Sequence, residues 1–223
     1  MGNEYKIDML DYPIVSKLKY SNTIDRIVCN NSNNNSIYTP KTVVVDVNEL
    51  VPDNIWSNPR IKILNLPCKN ARFLEEAYWK FYEGLRNEIP DDLERSYHIL
   101  HNQLFGIALD DANAQICRIN LYGSIDASGR GSFCRKFKKS TGNIVDIETL
   151  CRELKINQDV IKYKDISLIS KIIKEAFGDM KFDIVIGNPP YNKGMDLDFV
   201  NKGFDLCEQY CVMITPAKWQ TAA

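Results

Sequence analysis

The chain has 223 residues, 44% of them hydrophobic, and a formal net charge of -1 at pH 7, which suits one α/β domain with a real core, or one domain with appendages. So balanced a charge excludes a global basic field, and any nucleic-acid contact must come from a local patch or from another part. The seven cysteines contain no Cys-x-x-Cys pair, and no signal peptide or apolar run of membrane-spanning length is present, so a cytosolic, reduced protein is expected.

Residues 1–36 mix short apolar runs with polar ones and close on an Asn- and Ser-rich stretch from Asn30 to Ser36. That stretch is too polar for a core, so 1–36 is expected to be an N-terminal extension ending in a flexible linker, with the domain proper over 37–223. Thr39-Pro40 then opens an amphipathic helix with Val43, Val44, Val47 and Leu50 on its apolar side. Proline at the first helical position after a Thr cap is a helix start whose free N–H groups attract anions. Ile61 to Leu64 reads as a short strand. The stretch from Asn65 to Leu74 leads into a helix with Leu74, Ala77, Tyr78, Phe81 and Leu85 on one face. Strand, tight turn and helix make the architecture of a nucleotide-type cofactor site.

Asp91 to Gln103 is expected to be helical, and its His98 and His101 read as ordinary, partly exposed histidines rather than zinc ligands. Leu104 to Leu109 reads as a second strand ending in Asp110-Asp111. An acid there can hydrogen-bond ribose hydroxyls or cap the helix that follows, and the two roles are compatible. The Gly- and Ser-rich segment from Asp126 to Thr141 carries Arg130, Arg135, Lys136, Lys138 and Lys139 around Phe133 and Phe137. Basic residues interleaved with aromatics can follow a phosphate backbone, and they also occur in plain solvated loops. Ile144 to Leu154 and Gln158 to Phe177 read as mainly helical. Leu197, Val200, Phe204 and Cys207 mark a later helix, and Tyr210 to Ile214 a strand closing in Thr215-Pro216-Ala217-Lys218-Trp219.

The chain is organised around Phe182 to Tyr191, Phe-Asp-Ile-Val-Ile-Gly-Asn-Pro-Pro-Tyr. A β-branched apolar run reads as a buried strand, and it stops where two prolines fix φ and can donate to no ladder. The corner presents the Asn188 amide, the carbonyls of Asn188 and Pro189, and the Tyr191 ring. The amide oxygen and a backbone carbonyl can each accept one N–H of an amine while the ring stacks on a planar group. Two fixed acceptors pull the nitrogen out of conjugation, so its lone pair becomes nucleophilic without a metal or a covalent intermediate. The same residues also read as a proline-stiffened turn.

Asn-Pro-Pro-Tyr after an Asp-containing apolar strand resembles the catalytic motif of S-adenosylmethionine-dependent amino-methyltransferases, chiefly the gamma-class N6-adenine DNA methyltransferases of restriction–modification systems. Release-factor glutamine methyltransferases and some guanine-N2 RNA methyltransferases carry a similar tetrapeptide. The order of elements resembles the gamma class: a Thr-Pro element, a first cofactor strand, a second strand with a terminal acid, then Asn-Pro-Pro-Tyr. The resemblance runs from about Tyr38 to Trp219. It implies a Rossmann-like α/β fold, a central, mostly parallel sheet flanked by helices and incomplete at its C-terminus. It assigns Asn188, Pro189, Pro190 and Tyr191 to catalysis. It also assigns Thr39, Pro40, Asn65, Pro67, Cys68, Asp110 and Asp165 to binding S-adenosyl-L-methionine, with Asp165 beside the cofactor's adenine.

The chain departs from the family pattern at Asn65, where an acid is usual, at Lys69 and Ala71, where glycines are usual, and at Ala108, where a first acid is usual. Added Cβ atoms narrow the room for the methionine moiety. N6 lies inside the duplex, so the implied partner is double-stranded DNA with a flipped adenine. The missing later strands and target-recognition domain imply a fragment, or a chain that needs a specificity domain or nuclease partner. A non-catalytic module of the same fold, and a protein-glutamine or RNA methyltransferase, are the alternative readings.

Overall fold

The computed structural model describes residues 39–122, 142–156, 167–191 and 194–217. The expected extension over 1–36, the basic segment with Arg130, Arg135, Lys136, Lys138 and Lys139, and Asp165 and Trp219 lie outside the described residues.

Within them are five strands: β1 (Ile63–Asn65), β2 (Leu104–Ala108), β3 (Ile144–Asp146), β4 (Phe182–Gly187) and β5 (Cys207–Met213). All four neighbouring pairs are parallel, and the spatial order is β3-β2-β1-β4-β5. The central strands are buried on both sides, which is why they read as continuous apolar runs rather than alternating ones. The expected Rossmann-like α/β sheet is therefore the one observed. The order reverses between β1 and β4, so the crevice outside their carboxyl ends is the topological switch point where open sheets of this kind bind ligands.

Two cores flank the sheet. Ile63, Leu104, Ala108, Ile184 and Ile186 face helices α1 (Lys41–Glu49), α2 (Arg72–Gly84) and, after the short α3 (Asp92–His98), α4 (Asp111–Tyr122). Leu64, Phe105, Ile107, Val145 and Val185 face α5 (Ile147–Glu153), α6 (Ser167–Phe177) and α7 (Met195–Leu206). The expected face of α2, Leu74, Ala77, Tyr78, Phe81 and Leu85, is buried throughout. At the amino end of the sheet, Asp183 accepts from Lys62 N at 2.8 Å and from Gln209 Nε2 at 2.7 Å, clamping β4 to both neighbours far from the crevice.

Two expectations are corrected. Ile144 to Asp146 is a strand, not the start of a helix: three residues are too few to show periodicity, and Asp146 ends the strand by accepting from Thr149 N at 2.6 Å as the cap of α5. Thr39 does not cap α1. The cap position belongs to Pro40, with φ -57° and ψ 148° and no side-chain cap, and the Thr39 hydroxyl is engaged elsewhere. The exposed flank of the sheet is β5, whose side chains are half-buried or exposed and which has β4 as its strand neighbour.

Candidate active site

The switch point is closed tightly at its base. Leu66 N and Asn65 Nδ2 both donate to Ile186 O at 2.9 Å. Asn65, expected to face a cofactor, is only 1% exposed and so serves to lock β1 to β4. A Cβ on Gly187 would stand 2.0 Å from Leu66 O, so glycine alone lets the end of β4 approach the turn after β1 this closely.

The next residue is Asn188. Its Nδ2 donates to Thr39 Oγ1 at 3.0 Å, and Arg72 Nη1 donates to Thr39 O at 3.1 Å. Thr39 thus joins the Asn-Pro-Pro-Tyr corner to the first turn of α2, and three segments that sequence reading kept apart meet here. Pro189 is buried, while Tyr191 is 40% exposed and free to present a ring face. The Tyr191 hydroxyl donates to Asn188 Oδ1 at 2.6 Å, which uses one of the two lone pairs of the amide oxygen expected to receive an amine. Burial pushes the Tyr191 phenol up, and the negative charge of Asp196 adds to this, while the hydrogen bond to Asn188 opposes it.

The turn from β1 to α2 is held from behind by α4. Cys68 N donates to Ile107 O at 2.7 Å, its Sγ lies 3.0 Å from Cys117 Sγ, and Asn120 Nδ2 donates to Asn70 O at 2.8 Å. Burial raises the Cys117 thiol well above its usual range, with the neighbouring Cys68 adding, and neither cysteine is in a disulfide. Pro67 and Cys68 are buried beneath the crevice. Ala71 adopts φ 63° and ψ 8°, the left-handed backbone that a glycine takes without strain. The turn therefore keeps the glycine-type path that close approach to a nucleotide-type cofactor requires, with a methyl added. Half-burial lowers the pKa of the Lys69 ammonium. The residues present fit S-adenosyl-L-methionine in backbone shape and differ from the usual pattern in side-chain bulk.

Asp110, half-buried past the end of β2, accepts from Asn113 N at 2.8 Å and from Asn113 Nδ2 at 2.9 and 2.8 Å. Its capping role is realised, and it stands on the same edge of the sheet as Asn188. Sequence reasoning missed two acids. Asp146 ends β3 on that edge, pairs with Arg118 at 3.6 Å and is a placed rival to Asp165; the missed strand hid it. Asp196 in the first turn of α7 is 4% exposed, and its Oδ1 has no hydrogen-bond partner among the described residues. Its signal was one of two acids just past the corner, which a solvated helix start would equally explain. His98 Nε2 pairs with Pro59 O at 2.8 Å and His101 stacks on Tyr97, so the two do not converge.

A doubly wound parallel sheet carries an amide-diproline-tyrosine corner at its switch point, the arrangement that the resemblance to amino-methyltransferases implies. Residues 102–198 match the family described as Eco57I restriction-modification methylase. The chain is also 32% identical to an uncharacterized adenine-specific methylase of Mycoplasma pneumoniae, over 86% of this chain and 57% of the relative's length. The resemblance to adenine-specific restriction–modification methylases thus holds in sequence. The crystal structure of the type I restriction enzyme EcoKI M protein is similar at 17% identity and a TM-score of 0.39, over 72% of this chain and 26% of that one. The strand order, not this likeness, carries the fold assignment. Among the described residues, no helix is long and apolar enough to cross a membrane.

Proposed function

We propose that this chain is the catalytic portion of an adenine-specific DNA methyltransferase of a restriction–modification system, working in the cytoplasm on double-stranded DNA. The observation that supports it best is the Asn188 corner at the switch point, with its amide oriented by Thr39. Bound S-adenosyl-L-methionine would supply an electrophilic methyl group. The turn from Asn65 to Ala71, the Thr39-Pro40 element and Asp110 would hold it, Asp110 facing the ribose hydroxyls.

Asn188 Oδ1 and the Pro189 carbonyl receive the two N–H bonds of a flipped adenine's amine, and the Tyr191 ring stacks on the base. Because Thr39 fixes Nδ2, the oxygen is the end of the amide that faces the amine. The acceptors are in place before the base arrives, so little reorganisation is left for the reaction. The basic segment from Arg130 to Lys139 would follow the phosphates, and a specificity domain or nuclease would be the companion that reads sequence. The half-buried Lys69 ammonium favours one rival, a module of the same fold that has lost cofactor binding.

The test is transfer of a labelled methyl group from S-adenosyl-L-methionine to adenine-containing duplex DNA, compared with release factor and with RNA. Label is expected on adenine N6, with Asn188→Ala lowering the rate by about 10²-fold or more, the usual effect of removing a preorganised polar contact. Label on a protein glutamine, or a full rate in Asn188→Ala, would overturn the reading.

A further inference from the structure

The Asn188 amide serves an amine only with its oxygen outward, and that orientation is set from the side of its nitrogen. Nδ2 donates to Thr39 Oγ1 at 3.0 Å. Turned over, the amide would present N–H groups to an incoming N–H donor, and no bond could form. The Tyr191 hydroxyl on Oδ1 favours the same orientation from the exposed side, so Thr39 is the buried one of two holds.

Thr39 is itself held by Arg72. The backbone bond that opens α1 runs from Val44 N to Pro40 O, one residue beyond Thr39, and it is Arg72 Nη1 that donates to Thr39 O, at 3.1 Å. Threonine is β-branched and has few side-chain rotamers, so where its backbone stands decides where Oγ1 points. Fixing the carbonyl therefore fixes the hydroxyl. The side chain that does so stands in an electrostatically poor place for a cation. Arg72 is the first residue of the 13-residue helix α2, at the positive end of its dipole, after an Ala71 cap that makes no side-chain bond. The charge is of no use to the helix that carries it, and its reach to Thr39 accounts for its place.

We infer that Arg72 is a positioning residue for the amine-binding amide: it fixes Thr39, and Thr39 turns the Asn188 oxygen toward the base. This rests on the proposed amino-methyltransferase reading and deepens it. Arg72 follows directly on the turn from Asn65 to Ala71 that would hold the cofactor. One short segment thus places the methyl donor and, through Thr39, the group that receives the amine. In this role Arg72 acts through its neighbours and touches neither cofactor nor base.

The orientation is read on the chain as it stands by nuclear magnetic resonance with isotopically labelled asparagine, the Asn188 side-chain amide being the signal that Asn188→Ala removes. Thr39→Val is expected to move that signal, Arg72→Met to move it in the same direction, and the double variant to stand where Thr39→Val stands. Arg86→Met, which removes an exposed cation just beyond the far end of α2, is expected to leave it unmoved. In methyl transfer, Arg72→Met is expected to lower kcat about fivefold, the equivalent of one net hydrogen bond, with cofactor Kd and DNA KM unchanged, and to add nothing in the Thr39→Val background. Arg72→Lys keeps the charge without the planar fork and is expected to give smaller changes of the same sign. An Asn188 signal that Thr39→Val moves and neither Arg72 variant moves overturns the inference and leaves the methyltransferase reading standing. So does a weakened cofactor Kd at unchanged kcat, which would make Arg72 a cofactor ligand, or a raised DNA KM at unchanged kcat, which would make it a phosphate contact. Label on release factor in place of DNA, with the same fall in kcat, overturns the DNA reading and upholds the role of Arg72. Transfer to none of these acceptors overturns both.

Discussion

Alanine at Gly187 should be the most damaging single methyl in the sheet, and its cost can be worked from the contacts. The added Cβ would lie 2.0 Å from Leu66 O and 2.8 Å from Leu66 C, both backbone atoms, where ordinary contacts begin at 3.4 Å. The end of β4 must therefore retreat from β1 by well over an ångström. Overpacking of this kind costs about 1–3 kcal/mol. Retreat also stretches the bonds that Leu66 N and Asn65 Nδ2 make to Ile186 O, at about 1 kcal/mol each. A loss of about 3–5 kcal/mol follows, a large share of the stability of a domain this size. Gly194→Ala is the control: open space surrounds that glycine, and only its φ of 84° penalises a side chain, at about 1–2 kcal/mol. Urea unfolding followed by circular dichroism measures both. A Gly187→Ala loss no larger than that of Gly194→Ala would refute the steric reasoning. Because Asn188 is the next residue, the same substitution should lower methyl transfer by about 10²-fold, the scale attached to misplacing a reacting group by an ångström.

Ala71→Gly is expected to change stability by less than about 1 kcal/mol, because relief of a left-handed alanine offsets the lost buried methyl and the freer unfolded chain. Ala77→Gly, in the body of the same helix, should cost more than that in the same urea experiment. Thr39→Val removes the acceptor of the Asn188 amide and should slow methyl transfer about five- to tenfold while leaving thermal unfolding within a few degrees of wild type. Burial pushes the Tyr78 phenol from its ordinary 10.0 up to about 12, with the Ser96 hydrogen bond opposing. The folded pKa lies above the unfolded one, so the unfolded chain loses its proton first. The associated stability, about 2–3 kcal/mol, is fully present below pH 10 and is lost as pH rises toward 12. Tyr78→Phe should flatten that decline in unfolding free energy, since Ser96 keeps its bond to Asp92 O.

What the sequence disclosed was whatever repeats locally. The 3.6-residue spacing of Leu74, Ala77, Tyr78, Phe81 and Leu85 is visible in one dimension because a helix writes its buried face at regular intervals. The strand before Asn188 was legible because it is long and β-branched and two prolines end it. β3 was not, since three residues carry no period. The site divides along the same line. Asn188 and Tyr191 are three residues apart, so their corner could be read directly. The partner that orients Asn188 is 149 residues away, and local rules assigned Thr39 to a helix cap instead. The bond from Asn65 to Ile186 O and the burial of Asp196 went unread because they are facts of the fold and not of neighbours in sequence.

The half-covered flank at β5 also governs how the molecule behaves among its own copies. Among the described residues β5 has one laddered neighbour and so offers its other row of amides and carbonyls as a template, and half-exposed Tyr210, Val212 and Met213 give an added strand something to pack on. Glu208 and Gln209 are the polar residues that stand against such additions. Colloidal self-association of this chain should therefore begin along β5, and a charge placed at Val212 would suppress it.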